Sequence, residues 1–130
     1  MMIKDIKNYL KSAVDCPNWY VGRIDGKKDQ CIGAYPARSQ PKPVPVAIGG
    51  VENTTYDKMG IEILIHWGEA PTDAEKKAQE VYAALYGQNP VIGGKNVIKT
   101  DMNTSCPVYA GTDENGVYEF VIGAVIYYEK

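Results

Sequence analysis

The sequence predicts a mixed fold class in which helices lie across the face of a β-sheet, and three stretches carry this prediction. Met59–Trp67 alternates as a half-buried strand does, and its apolar face holds Ile61, Ile63, Ile65 and Trp67. Residues 72–85 follow with apolar side chains at helical spacing. Residues 117–128 are apolar on nearly both faces, which is typical of a central strand.

Thr72 marks the predicted start of the central helix. The spacing from Thr72 to Glu75 is that of a capping box, in which the hydroxyl accepts a hydrogen bond from a free backbone N–H and the glutamate reaches back to the cap residue. Gly87 stands where a left-handed C-terminal cap is expected. The apolar positions between them are Ala74, Ala78, Val81, Tyr82 and Leu85.

Two elements are predicted before residue 36. Residues 3–14 form an amphipathic helix, which Pro17 ends at Cys16. Its apolar stripe is Ile3, Ile6, Leu10, Ala13 and Val14. Residues 19–24 and 30–35 are strand-like, and the tight-turn signal Asp25-Gly26 between them predicts a β-hairpin of uncertain register.

Residues 36–58 predict the longest stretch without regular structure. Pro41–Pro45 favours polyproline II, either as a stiff extended loop or as a ligand for a proline-binding domain. A long loop inside a compact domain is usually functional or disordered. We therefore expect a proline- and glycine-rich arm that projects from a single domain formed by residues 1–130.

The last third predicts shorter strands around the long one. Residues 87–94 are expected to form a break, residues 96–102 a weak strand and residues 106–111 a short strand. The turn at residues 112–116, with Asn115-Gly116 as its strongest signal, leads into the long final strand.

Composition excludes several functional classes. The chain has 130 residues, a net charge of -2 and a pI near 5.4, so no overall basic character points to nucleic acid or anionic membrane. Cys16, Cys31 and Cys106 are odd in number and far apart, which argues against a disulfide framework. No apolar run is long enough to span a membrane and the polar start does not resemble a signal peptide, so the cytoplasm is the expected compartment.

The residues that carry most enzyme chemistry are scarce. His66 is the only histidine, and in mid-strand it reads as an ordinary strand residue rather than a catalytic one. No clustered cysteines or histidines predict a metal site. Residues 89–96 approach a phosphate-binding loop but lack its first glycine and its final hydroxyl. Asp113 and Glu114 fit turn chemistry better than acid–base catalysis, so we expect no enzyme, no cofactor and no metal.

The order of these parts resembles the small minor capsid or tail-completion proteins of long-tailed phages and prophages, including the tail-terminator group. The resemblance is carried by the Gly22–Lys27 segment, the Ile61–Trp67 strand followed by a helix, and the strand–Gly-x-Asp-x-x-Gly–strand motif within residues 107–120. It implies an α+β fold, with a twisted and mostly antiparallel sheet packed by helices on one side. It also implies a structural role in virion assembly, without catalysis.

The resemblance further implies a hexameric ring at the head–tail junction or on top of the tail tube. Its partners would be itself, the tail-tube protein and the head–tail connector, with DNA passing through the centre. The protein would be in the host cytoplasm during assembly and then in the virion.

Two sets of residues are the candidates for the ring. We expect subunit contacts at the sheet edge near the hairpin and along the arm, through Trp19, Tyr20, Tyr35, Pro41, Pro43 and Pro45. The basic residues that could face a DNA-containing lumen are Lys27, Lys28, Arg38 and Lys42. The alternative function is a small cytosolic module that binds a ligand or peptide without catalysis.

Overall fold

One curled sheet with two helices on a single face makes up the structure, a computed structural model that describes residues 1–130. The elements are α1 (Ile3–Ala13), β1 (Trp19–Val21), β2 (Gln30–Pro36), a 3-10 turn (Val51–Asn53), β3 (Tyr56–Trp67), α2 (Pro71–Leu85), β4 (Val91–Ile92), β5 (Lys95–Met102), β6 (Val108–Thr112) and β7 (Tyr118–Glu129). The α+β class expected from the resemblance is confirmed.

The two longest strands, β3 and β7, form the centre of the sheet. They pair antiparallel from Tyr56 opposite Glu129 to His66 opposite Glu119. The strand order is β1-β2-β3-β7-β5-β4, and β6 also pairs with β7. β5 and β6 follow the same edge of β7 in turn, so they act as one strand interrupted by residues 103–107. The central position predicted for the last strand is therefore correct.

The helices cover only one face of this sheet. The β3 alternation places Ile61, Ile63 and Ile65 on that face, and all three are fully buried. Their cover comes from α1 and α2, through Ile6, Leu10, Ala74, Ala78, Val81 and Leu85. Complete burial of one such aliphatic side chain contributes roughly 1.5–3 kcal/mol. The opposite face, which we call the open face, has no helix over it.

The predicted β-hairpin at residues 19–35 is wrong. β1 pairs with β2 in parallel, with Trp19 beside Ile32 and Val21 beside Ala34. The Asp25 turn does form, since the Asp25 carboxylate and carbonyl accept hydrogen bonds from Lys27 and Lys28. It lies within a returning loop, residues 22–29, instead of joining two paired strands. β1 therefore lies beside β2, as expected, but runs parallel to it and not antiparallel.

The predicted capping box of the central helix is also wrong. The helix begins at Pro71, with Ala70 as the N-cap residue and no side-chain cap. Proline suits the first helical position, because its φ angle is already helical and no N–H is needed there. The helix therefore starts before Thr72, and the threonine lies in its first turn. At the other end Gly87 adopts φ 69°, the left-handed conformation expected of it.

Some boundaries differ from the predicted ones. β4 lies inside the stretch expected to be a break, where it pairs with the start of β5. β3 begins at Tyr56, so the segment without strand or α-helix is residues 37–55 and contains only the 3-10 turn. Ala13, predicted to lie on the apolar stripe of α1, is exposed, because the helix ends there.

Candidate functional site

The aromatic residues predicted at the subunit contact lie on both faces of the sheet. Trp19 packs partly against the core, and its indole Nε1 donates a hydrogen bond to the carbonyl of Cys16 at 3.1 Å. Tyr20 pairs beside Gly33, and Tyr35 lies opposite Glu62, so both belong to the open face. Burial is the main cause that raises the pKa of Tyr35. The structure therefore places Tyr20 and Tyr35 on the same face of the sheet and Trp19 on the other face.

The root of the arm is fastened to the body by Gln40. Its side-chain amide accepts a hydrogen bond from the Gly60 N–H at 3.0 Å and donates one to the Gly60 carbonyl at 2.9 Å. The amide thus continues the pairing along β3 beyond the end of β2. A Cβ at position 60 would lie 3.1 Å from Pro41 Cδ and 3.2 Å from Ala37 Cβ, so a side chain there would press on the root of the arm.

The proline segment, Pro41–Pro45, begins at this root. Pro41 is half-buried against Gly60, whereas Pro43 and Pro45 are exposed. Val44 between them is buried, with 8% of its surface exposed. The segment is therefore anchored at one apolar residue, and its two outer prolines face solvent.

The arm ends in an apolar tip that sequence analysis did not single out. We define the tip as Val46, Ile48 and Val51, which are 62%, 99% and 62% exposed. Hydrogen bonds within residues 47–54 give this tip a definite shape. Asn53 Nδ2 donates to the Ile48 carbonyl at 2.8 Å, and Thr54 Oγ1 accepts from the Ala47 N–H at 2.9 Å. Apolar residues at 44, 46 and 48 inside a proline- and glycine-rich loop were the available signal.

The open face carries a groove that crosses β2, β3, β7 and β6. Its deeper half is a cleft of about 260 Å³, lined by Tyr35, Pro36, Arg38, Glu62, Leu64 and Val121. The shallower half shares Arg38, Glu62 and Val121 and continues to Val108. We call this feature the open-face groove. The side chains of Arg38 and Glu62 form no ion pair and no hydrogen bond within the chain.

The four basic residues proposed for a lumen are not gathered in one place on the chain. Lys27 and Lys28 lie in the loop before β2, whereas Arg38 follows the end of β2. This strand of seven residues is about 20 Å long, so it holds the two groups apart. Lys42 lies farther along the arm and is exposed.

His66 lies in strand β3, as its sequence position indicates, and its side chain is enclosed there. It is only 1% exposed, although it lies on the open face. Its Nδ1–H donates to Glu119 at 3.0 Å, and its Nε2 lies 3.6 Å from Asp113 without a hydrogen-bond partner. These contacts tie β3 to β7 and to the β6–β7 turn. Only the register between His66 and Glu119 reveals this cluster, and no local pattern does.

The three cysteines lie in different environments. Cys31 is completely buried, and burial is the largest cause that raises the pKa of its thiol to about 12. All three cysteines are free thiols, and Cys106 is exposed.

No group of three or more His, Cys, Asp or Glu side chains is placed to hold a metal ion. Neither helix has the length and apolar character needed to cross a bilayer.

Comparison with known proteins gives the family. A family described as bacteriophage tail terminator protein matches residues 3–130. No match was found among curated proteins. The matched range contains every helix and strand of the structure, together with the arm and the open-face groove. The chain therefore belongs to the bacteriophage tail terminator family and is a structural protein of a phage tail.

Proposed function

We propose that this protein forms a ring that ends the phage tail tube and joins it to the connector on the head side. The observation that carries the proposal is the presence of two unlike, unpartnered surfaces on one chain. The apolar tip is one of them, and the open-face groove is the other. A contact between different patches on successive copies is heterologous, and it closes into a ring when the rotation fits.

The proposed ring contains six copies. The number follows from the resemblance, because the tail tubes of these phages are built from sixfold rings. Assembly would take place in the host cytoplasm, and the finished ring would remain in the virion. Family membership supports a place at the tail.

The predicted interface residues fit such a ring in a second way. Strand β1 is at the edge of the sheet and carries Trp19 and Tyr20, with Tyr35 on the next strand. An extended arm can add main-chain hydrogen bonds to a free edge of this kind. Pro41, Pro43 and Pro45 would hold the arm extended.

A ring at this place must let DNA pass through its centre. A net charge of -2 opposes tight binding of the phosphate backbone. Local cations can still guide the DNA, and we propose Lys27, Lys28, Arg38 and Lys42 for this task. In a ring, the Lys27 and Lys28 side chains of the copies would lie at one position along the channel, and those of Arg38 and Lys42 at another. Their attraction for DNA would fall with rising salt, because exposed charges are screened.

Electron microscopy of tail tubes from the same phage, with and without the protein, tests the proposal. We expect added density at one end of each tube, with sixfold symmetry in end views. Light scattering across a range of concentrations gives the mass of the free protein for comparison. Tubes that end without added density would contradict the proposal, as would a two-fold dimer. The deeper half of the open-face groove would then favour the alternative, a module that binds a peptide or small ligand.

A further inference from the structure

We propose that the apolar tip of each copy inserts into the open-face groove of the next copy, with Glu52 beside the tip paired to the neighbour's Arg38. This inference rests on the proposed ring and names the contact that closes it. The tip and the groove are both on the chain, and neither is covered by the chain itself.

The tip has the properties of a preformed ligand. Ile48 is 99% exposed, which is unfavourable for an isoleucine unless a partner covers it. The Gly50 N–H donates to the Ala47 carbonyl at 2.9 Å and the Asn53 N–H to the Gly50 carbonyl at 3.1 Å, so the backbone already has a folded shape. A segment held in its bound shape loses little conformational entropy on association.

The groove has the matching properties of a receptor. Leu64 and Val121 are half-buried at its floor and lie opposite each other on β3 and β7. No helix covers them, in contrast to the neighbouring Ile63 and Ile65. The cleft of about 260 Å³ is open to solvent on the side away from α1 and α2.

The charges at the groove favour a second copy over an unrelated apolar partner, provided that Glu52 meets Arg38 and not Glu62, the unpaired carboxylate in the same groove. Arg38 at the rim of the groove has no ion-pair partner within the chain. Glu52 follows Val51 of the tip directly, is exposed and is also unpaired. Insertion of the tip brings an anion to a cation across the contact, whereas the same residues within one chain do not meet.

The reach of the tip restricts the receptor to an adjacent copy. Val44 is the last buried residue before the tip, and Ile48 is four positions beyond it. Four residues span at most about 14 Å. The arm therefore meets a neighbour that touches the root of the arm, as successive copies in a ring do. In this arrangement Arg38 belongs to the contact, and the lumen candidates that remain are Lys27, Lys28 and Lys42.

Disulfide cross-linking tests the contact directly. The background is Cys106→Ser, which removes the exposed thiol. A chain that carries both Ile48→Cys and Val121→Cys is oxidised on tail tubes, and we expect a ladder of linked species up to the full ring. The matched control pairs Val121→Cys with Val91→Cys, which replaces a residue that is 62% exposed but lies on β4, and it should give no ladder.

Charge reversal gives an independent measurement. We expect Arg38→Glu and Glu52→Arg each to weaken association of the copies about tenfold, and the double variant to restore it. Both residues are exposed, so we expect each variant to fold as the wild type does. Circular dichroism checks this. Failure of the double variant to recover, or equal losses for Lys42→Glu and Arg38→Glu, would contradict the pairing.

The outcomes separate this inference from the proposed function. A ring seen with the wild-type protein, together with no ladder from the double-cysteine chain, overturns the inference and leaves the proposed ring standing. A ring that survives Ile48→Ser but leaves the tube would mean that the tip binds the tube protein, which also overturns the inference. The absence of a ring with the wild-type protein overturns the proposed function, and the lack of a ladder from the double-cysteine chain then removes the inference as well.

Discussion

The two faces of strand β3 differ in what covers them, although their residues alternate along one short segment. Ile63 faces the helices and is fully buried, whereas its neighbour Leu64 faces the open-face groove and is half-buried. His66 is on the open face as well, but loops and carboxylates enclose it. The comparison separates the residues that hold the fold together from those left for association. Substitutions on the two faces should therefore have different consequences.

The largest expected effect is on the covered face. Ile63→Ala should lower the free energy of unfolding by about 2–5 kcal/mol, because it leaves a cavity beneath the helices. Leu64→Ala is the matched control on the open face, and it should cost less than half as much. Chemical denaturation of both variants gives the two values. Equal losses would show that the open face is as tightly packed as the covered one.

A smaller effect is expected where loops replace helices as the cover. Glu119→Ala removes the acceptor of the His66 Nδ1–H and leaves a buried donor unsatisfied, at a cost of roughly 1–3 kcal/mol. Glu114→Ala, in the exposed turn nearby, should leave stability unchanged. Thermal unfolding of the pair distinguishes them. If both variants have the same melting temperature, the contact between His66 and Glu119 does not contribute to stability.

The root of the arm should show an effect of about 1 kcal/mol. Gln40→Ala removes the side-chain hydrogen bonds to both backbone groups of Gly60. Ser39→Ala alters an exposed neighbour without these bonds. We expect faster hydrogen exchange at the Gly60 amide in the first variant alone. Identical exchange in both variants would show that the Gln40–Gly60 hydrogen bonds do not form in solution.

Hydrogen exchange can also be measured along the whole arm. Its composition predicts that residues 37–57 are mobile in the free subunit and ordered only against a neighbour. The hydrogen bonds at Gly50, Asn53 and Thr54 instead predict partial protection of the tip in the free chain. Hydrogen exchange of the free and the tube-bound protein distinguishes the two expectations. A tip without any protection in the free protein would mean that it has no preformed shape.

The smallest expected effect is at the start of α2. Thr72→Ala should change the free energy of unfolding by no more than about 0.5 kcal/mol, because the threonine is exposed and makes no cap contact. As a control, Ala74→Ser changes a fully buried residue of the same turn and should cost more. A loss near 1 kcal/mol at Thr72 would mean that the capping box predicted from sequence does form.

The fold could be predicted well where its elements follow local periodicity. The alternation from Ile61 to Trp67, the helical spacing in residues 74–85 and the apolar run of β7 all gave the right element in the right place. The helix start failed although its signal was local, because Thr72 and Pro71 offered competing starts and the proline prevailed.

The candidate site was predicted only in part. The arm and the aromatic residues of β1 and β2 were expected, but the apolar tip, the hydrogen bonds from Gln40 to Gly60 and the open-face groove were not. Sequence patterns do not state which residue of one strand lies across from which residue of another. Leu64 meets Val121, and His66 meets Glu119, only through the register of β3 with β7.

By itself, the sequence determined the two helices, the long strands and the apolar face of β3, because side-chain periodicity is a property of neighbouring residues. It also determined the order of parts on which the family resemblance rests. Tertiary structure alone decided that β1 runs parallel to β2, that His66 is enclosed and that one sheet face stays uncovered. Those outcomes depend on which edges and faces are still free after the rest of the chain has packed.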